Sequence, residues 1–170
     1  MTRFFRSPVA LILLAMLLIG GLITANMAYQ HVDLQPVDAS GTGLTVDEQA
    51  YYEYVAPRLD ALVEEVSATR EMVEGKSRDI LALTRAGTVI ETLTGEIRAY
   101  GEDHGVPNRF ADVHARILAA SDTVTSAFDA ARTALRTFNF SGMSDLVTEF
   151  GAAADEFTAS QHDLESLAGS

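Results

Sequence analysis

The chain has 170 residues, a formal net charge of −12, no cysteine and no tryptophan. The acidic excess excludes a nucleic-acid-binding protein, because phosphate backbones are bound through clusters of lysine and arginine. The lack of cysteine excludes disulfides, thiolate nucleophiles and thiolate metal sites, so the stability of the fold depends on its hydrophobic core.

The N-terminal residues have the order of charge and hydropathy that is typical of a membrane segment. Arg3 and Arg6 precede residues 8–29, an uncharged apolar run that is about 33 Å long as a helix and can cross a bilayer. The positive-inside rule places residues 1–7 in the cytoplasm and residues 30–170 outside the cell membrane. The run is longer than the apolar part of a secretory signal, so we expect an uncleaved anchor; secretion after cleavage is the alternative.

The next segment, residues 30–44, contains Pro, Ser, Gly and Asp without periodicity, which predicts a linker. Thr45 and Glu48 then have the spacing of a capping box, which predicts that a long helix begins here. Pro57 lies inside this helix, where it predicts either a kink or a short first helix that ends before it. We expect one domain over residues 45–170.

Four stretches of this domain carry apolar residues at alternating spacings of three and four, the pattern of amphipathic helices. No stretch shows the alternation of a strand. The four stripes are Val55, Leu59, Leu62, Val66, Thr69 and Val73; Ile80, Leu83, Gly87, Ile90, Leu93, Ile97 and Tyr100; Phe110, Val113, Ile117, Ala120, Val124, Phe128, Ala131, Leu135 and Phe138; and Met143, Leu146, Phe150, Ala153, Phe157, Gln161, Leu164 and Leu167.

The stripes predict an all-α fold, in which an N-terminal transmembrane helix is followed by an antiparallel up-down four-helix bundle. The alternative is a three-helix arrangement with one continuous helix over residues 46–101, because the seven-residue spacing from Val73 to Ile80 preserves the heptad phase. Gly75 as a helix-ending residue and Ser77 as a cap favour a turn instead.

The C-terminal part of the chain resembles a group of poorly characterised bacterial envelope proteins, which join an apolar or lipid anchor to an extracytoplasmic helical bundle. The resemblance rests on Pro107 and His114 in VPNRFADVHARI and on the Ala-rich helical hairpin of residues 117–168. The cysteine of the lipid-anchored members is missing here. The resemblance implies a location and an architecture but no activity.

The sequence contains no metalloprotease, di-iron, nucleophile-elbow, phosphate-loop or haem-attachment motif, so we expect neither an enzyme nor a cofactor. The up-down topology does bring most tyrosines and histidines to one end, which we expect to face the membrane. The residues predicted to meet there are Tyr51, Tyr52, Glu53, Tyr54, Glu96, Tyr100, His104, His114 and His162.

Two hypotheses for sites follow from this topology. His114 and His162, with Glu53 and Glu96, are candidate ligands for a metal at the tyrosine-rich end. The opposite end carries a second group of exposed candidates, which would bind a partner protein: Phe138, Phe140 and Met143.

Two classes of function are compatible with the sequence. The favoured one is a non-enzymatic scaffold or accessory subunit, anchored in the membrane, which binds other envelope proteins or a second copy of itself. The alternative is a sensory bundle that takes up a small molecule or a metal between its helices.

Overall fold

The computed structural model describes residues 32, 34–74, 80–137 and 143–169, which form four α-helices and no strand. The helices are α1 (Val46–Glu74), α2 (Ile80–His104), α3 (Ala111–Thr137) and α4 (Met143–Ala168), and a short 3-10 helix (Asn108–Phe110) leads into α3. Consecutive helices pack against each other and α4 packs against α1, which closes a four-helix bundle. The prediction of an all-helical bundle is therefore confirmed.

Side-chain contacts establish that neighbouring helices run in opposite directions. On the α1–α4 pair, Asp60 accepts a hydrogen bond from Gln161 at 2.8 Å, whereas Arg70, further along α1, bonds Asp155, which is earlier on α4. The α1–α2 pair places the start of α1 beside the end of α2. Since these two helices pack on each other, the chain does not form the continuous helix of residues 46–101. The Gly75 and Ser77 signals lie in residues 75–79, outside the described residues.

The core contains most of those stripe residues whose side chains the structure describes. The fully or almost fully buried apolar residues include Val55, Leu59, Leu62, Val66, Ile90, Leu93, Ile97, Phe110, Val113, Ile117, Ala120, Val124, Phe150, Ala153, Phe157 and Leu164. Phe128 is partly buried and packs edge-on against Phe150, with ring centroids 5.7 Å apart. Burial of this apolar area, at about 25 cal/mol per Å², supplies the main stabilising free energy.

The start of α1 has the predicted capping box. The backbone N–H of Thr45 donates to Glu48 Oε2 at 2.9 Å, and the N–H of Glu48 donates to Thr45 Oγ1 at 3.4 Å. Pro57 is buried inside α1, which continues through it, so the helix does not end before the proline. Pro107 is the N-cap of the 3-10 helix, which separates it from α3.

The segment before α1, residues 32–45 without residue 33, is irregular but packed; we call it the strap. Val32, Leu34, Val37 and Leu44 are partly buried against the core, and Ala39 is only 2 % exposed. A turn at residues 39–42 follows, in which Thr42 bonds the Ala39 carbonyl and Gly41 has a φ of 90°. The described part of the predicted linker has neither helix nor strand and rests on the bundle.

The predicted membrane segment, residues 8–29, lies outside the described residues. Within the part of the chain that is described, no helix has the length and hydropathy needed to cross a membrane.

Candidate functional site at the tyrosine end

A buried pair of polar side chains joins α1 to α3 at one end of the bundle. The Tyr51 hydroxyl lies 2.8 Å from His114 Nδ1, and the two residues are only 1 % and 8 % exposed. Tyr51 has one hydroxyl hydrogen, and a neutral imidazole has one acceptor nitrogen, so a single hydrogen bond satisfies both atoms. The pair fixes the start of α3 on the start of α1.

Aromatic rings surround this pair; we call the group the tyrosine end. Tyr51 stacks on Phe110 at 5.2 Å between centroids and contacts Tyr100 of α2 edge-on at 6.2 Å. Tyr52 also stacks on Phe110, at 6.5 Å. These rings join α1, α2 and the 3-10 helix. Each ring contact contributes about 0.5–1.5 kcal/mol of stability beyond that of area burial.

The environment of the pair favours its neutral form. Burial, and to a smaller extent the positive charge of Arg98, lower the pKa of His114. Burial, followed by the neighbouring Tyr100, raises the pKa of Tyr51. At neutral pH we therefore expect an uncharged imidazole and a protonated phenol, which suits a structural hydrogen bond in a low-dielectric interior.

Gly101 of α2 completes the enclosure of His114. A Cβ atom at this position would lie 2.8 Å from both Cε1 and Nε2 of the imidazole and 3.1 Å from Val106 Cγ2. The far edge of the ring is therefore packed against the α2 backbone. Sequence reasoning gave no role to Gly101, because a close approach of this kind has no sequence pattern.

A second row of rings lies between α1 and α2 next to the tyrosine end. The Arg58 guanidinium carbon is 3.6 Å from the centroid of Tyr54, Tyr54 stacks on Tyr100 at 4.1 Å, and Tyr100 stacks on His104 at 4.4 Å. Arg58 Nε also donates to Glu96 Oε2 at 2.8 Å. These half-exposed contacts hold the two helices together by cation–π attraction and a charge-assisted hydrogen bond.

The four residues of the metal hypothesis have different surroundings. His114 is bonded to Tyr51, Glu96 is paired with Arg58, and Glu53 Oε1 accepts from the N–H of Ala39 and from Gln49 Nε2. His162 is exposed. Among the described residues, no group of three or more histidine or carboxylate side chains is placed to hold a metal ion. The metal site stays a prediction without support from these contacts.

The partner-binding hypothesis falls on the opposite end of the bundle. Phe138 and Phe140 lie outside the described residues, and so does the side chain of Met143, although α4 begins at that residue.

A polar cluster on α3 and α4 was missed by sequence reasoning. Arg116 Nη2 contacts Asp163 Oδ2 at 2.5 Å, and its Nε lies 3.4 Å from Glu156 Oε1 without forming a hydrogen bond. Ser160, between those two acids on α4, is fully buried, and its hydroxyl has no hydrogen-bond partner among the described residues. The signal available was the i, i+4, i+7 spacing of the three α4 residues, which places them on one face.

Comparisons with protein-family models, with curated proteins and with solved structures found no match for this chain.

Proposed function

We propose that this protein is a membrane-anchored, extracytoplasmic helical bundle that acts without catalysis, as a scaffold or accessory subunit for other envelope proteins. The observation that carries the proposal is the 2.8 Å contact between Tyr51 and His114. The most buried titratable side chains of the tyrosine end bond each other inside an aromatic cluster, which is a structural use of residues that an enzyme would direct toward a substrate.

The charged groups near this pair support the same proposal. Glu96 neutralises Arg58 between α1 and α2, and Glu53 holds the strap. Three of the four candidate metal ligands, His114, Glu53 and Glu96, thus stabilise contacts between elements. The helices' outer faces, which are acidic overall, remain for protein contacts.

The membrane location rests on the sequence of residues 1–29, with its two arginines before an apolar run. Extraction of native membranes with alkaline carbonate tests it. An anchored protein stays in the membrane pellet, whereas a secreted, cleaved protein is found in the soluble fraction with a shortened N-terminus.

The scaffold role is tested by affinity purification of the full-length protein from gently solubilised native membranes, with mass spectrometry and elemental analysis of the same sample. We expect a stoichiometric protein partner and no near-equimolar metal. A bound metal or organic ligand that is lost in His114→Gln but kept in His104→Gln would instead favour the sensory alternative. His104 is the matched control because it is exposed at the same end of the bundle.

A further inference from the structure

The strap is bonded to the first helix. The N–H of Ala39 donates to Glu53 Oε1 at 3.2 Å, and the same oxygen accepts from Gln49 Nε2 at 3.0 Å. Ala39 itself is 2 % exposed, and apolar side chains on both sides of it pack against the core. The strap therefore follows the surface of α1 rather than leading away from it.

The burial of Pro57 indicates which side of α1 the strap covers. At 100° per residue, Pro57 lies roughly opposite the stripe of Val55, Leu59 and Leu62. On α1, Arg58 contacts α2 and Asp60 contacts α4. Pro57 lies between these two contact lines on the outer side of α1, which faces away from the core. It is nevertheless buried, one turn after Glu53. Within the described chain, the strap is the segment that is bonded to this outer side of α1, through Glu53.

Docking of the strap shortens the distance over which the bundle can move from the membrane. If residues 30–44 were a free linker, it would have an r.m.s. span of about 20 Å and could extend to about 50 Å. Since Val32 already packs on the bundle, only residues 30 and 31 separate it from the apolar run that ends at residue 29. Three backbone steps span at most about 10 Å.

We propose that the strap holds the bundle directly against the membrane surface, with the outer side of α1 turned toward the lipid headgroups instead of the tyrosine end that the topology predicted to face them. This inference rests on the membrane anchor of the proposed function. The net charge of −12 means that a docked strap is needed to keep the bundle near the lipid, because an acidic domain on a flexible tether would move away from an anionic bilayer. The opposite side of the bundle, formed by the outer face of α3, is then the side that partners reach.

The energetics of the strap make it sensitive to one substitution. Its apolar side chains are partly buried, so each contributes a fraction of the 1.5–3 kcal/mol of a fully buried one, and ordering the backbone costs about 1 kcal/mol per residue. Docking is therefore marginal. Val37→Asp should release the strap while the bundle core, to which Val37 does not belong, stays folded.

The first measurement is hydrogen exchange of the full-length protein in lipid nanodiscs. The Ala39 amide should exchange more slowly than expected for an irregular segment in the wild type, and should lose this protection in Val37→Asp and in Glu53→Ala. Protection of α3 and α4 should be the same in all three proteins, which separates release of the strap from unfolding. An unprotected Ala39 in the wild type would overturn the proposal.

The second measurement gives the orientation, and the cysteine-free sequence makes each introduced thiol the single labelling site. A donor dye is placed at Glu64→Cys on the outer side of α1 or at Ala119→Cys on the outer side of α3, both exposed positions, and acceptors are placed on lipid headgroups. Energy transfer should be higher from position 64 than from position 119. Val37→Asp should remove the difference, most strongly in discs that contain phosphatidylglycerol instead of phosphatidylcholine alone.

Equal transfer from the two positions in the wild type would contradict the proposal while leaving the membrane anchor intact. If the protein does not stay with the discs at all, the anchor itself is wrong and the strap proposal falls with it. The two failures are therefore distinguishable in the same samples.

Discussion

Gly101 and Gly95 lie on the same helix but differ in what a methyl group would meet. At Gly101 the added Cβ would lie 2.8 Å from the His114 ring, whereas at Gly95 no described atom other than those of the adjoining α2 backbone and chain neighbours is within 4 Å. We expect Gly101→Ala to lower the free energy of unfolding by about 1–3 kcal/mol through displacement of the imidazole. Gly95→Ala should raise it by up to about 1 kcal/mol, because alanine is the better helix former.

Denaturant unfolding of the full-length protein in detergent, followed by near-ultraviolet circular dichroism, measures both variants. If the two alanine substitutions change the free energy of unfolding equally, the close contact between the His114 ring and the α2 backbone is absent in solution.

Protonation of His114 should oppose folding. Its pKa in the folded protein is lowered by burial and by Arg98 from an ordinary value of 6.5. Between the pKa of His114 in the folded protein and that in the unfolded chain, the unfolded chain binds more protons. The contribution of neutral His114 to the free energy of unfolding is therefore fully present above about pH 7, and it decreases as the pH falls below 6.5.

His114→Gln, which keeps an acceptor for the Tyr51 hydroxyl, should lose less stability than the wild type between about pH 7.5 and pH 5. His104→Gln, at an exposed position, should follow the wild type. Parallel curves for all three proteins would show that folding does not lower the pKa of His114.

The two buried serines provide a matched pair. Ser121 Oγ donates to the Ile117 carbonyl at 2.7 Å, whereas the fully buried Ser160 hydroxyl has no partner in the described part of the chain. Ser160→Ala should therefore be neutral or stabilising by about 1 kcal/mol, and Ser121→Ala neutral or destabilising by a similar amount. Thermal unfolding of the two variants side by side tests the sign; a destabilising Ser160→Ala would mean that its hydroxyl is satisfied in solution.

Ser160 also illustrates where sequence reasoning stopped at the residue scale. After Phe157 the stripe can continue at a spacing of three or four, and neither Ser160 nor Gln161 is apolar, so the stripe pattern does not choose between them. The predicted stripe used Gln161, but this side chain is only partly buried and bonds Asp60 at the bundle surface. The smaller serine is the residue that the interior accommodates.

At the scale of the elements, the faces of α3 should respond oppositely to a new charge. Ile117 is fully buried and Ala119 is exposed on the outer face. Ile117→Asp should unfold the bundle, because an unpaired buried carboxylate costs several kcal/mol and removes a core side chain. Ala119→Asp should change stability by less than about 0.5 kcal/mol. A folded Ile117→Asp protein would show that α3 is rotated relative to its assigned face.

The helices could be predicted from sequence because periodicity carries the information that packing uses. Val55, Leu59 and Leu62 are buried as their spacing indicates, and the capping box at Thr45 marks the start of α1. The strap has no such period. Its apolar residues pack at irregular intervals around a turn, so composition identified a segment without regular structure but gave no indication of what it contacts.

At the scale of the whole molecule, charge should set the response to salt. The chain has 24 acidic and 12 basic residues, and several of its ion pairs are half-exposed, including Arg70–Asp155 and Arg98–Asp122. Exposed ion pairs contribute little to stability, whereas repulsion among the excess acidic side chains destabilises the folded state over the whole surface. We expect the melting temperature to rise between about 10 and about 150 mM sodium chloride. A fall would mean that the ion pairs outweigh the repulsion.

The candidate site was predictable only in part. Up-down topology correctly gathered Tyr51, Tyr54, Tyr100, His104 and His114 at one end. Which of these side chains bond each other depends on how each side chain is rotated on its helix. Residue spacing does not give this rotation with the precision that is needed. His162 is assigned to the same end by topology, yet it points to solvent, and Tyr51, which was only one member of the group, is the partner of His114.

The clustering of tyrosines has an optical consequence. The chain has no tryptophan, and four of its five tyrosines, Tyr51, Tyr52, Tyr54 and Tyr100, belong to the tyrosine end and the ring row beside it. Near-ultraviolet dichroism and intrinsic fluorescence will thus be dominated by one end of the bundle, whereas amide dichroism averages over all helices. Divergence between the two signals during unfolding will tell an experimenter, without any label, which end of the bundle opens first.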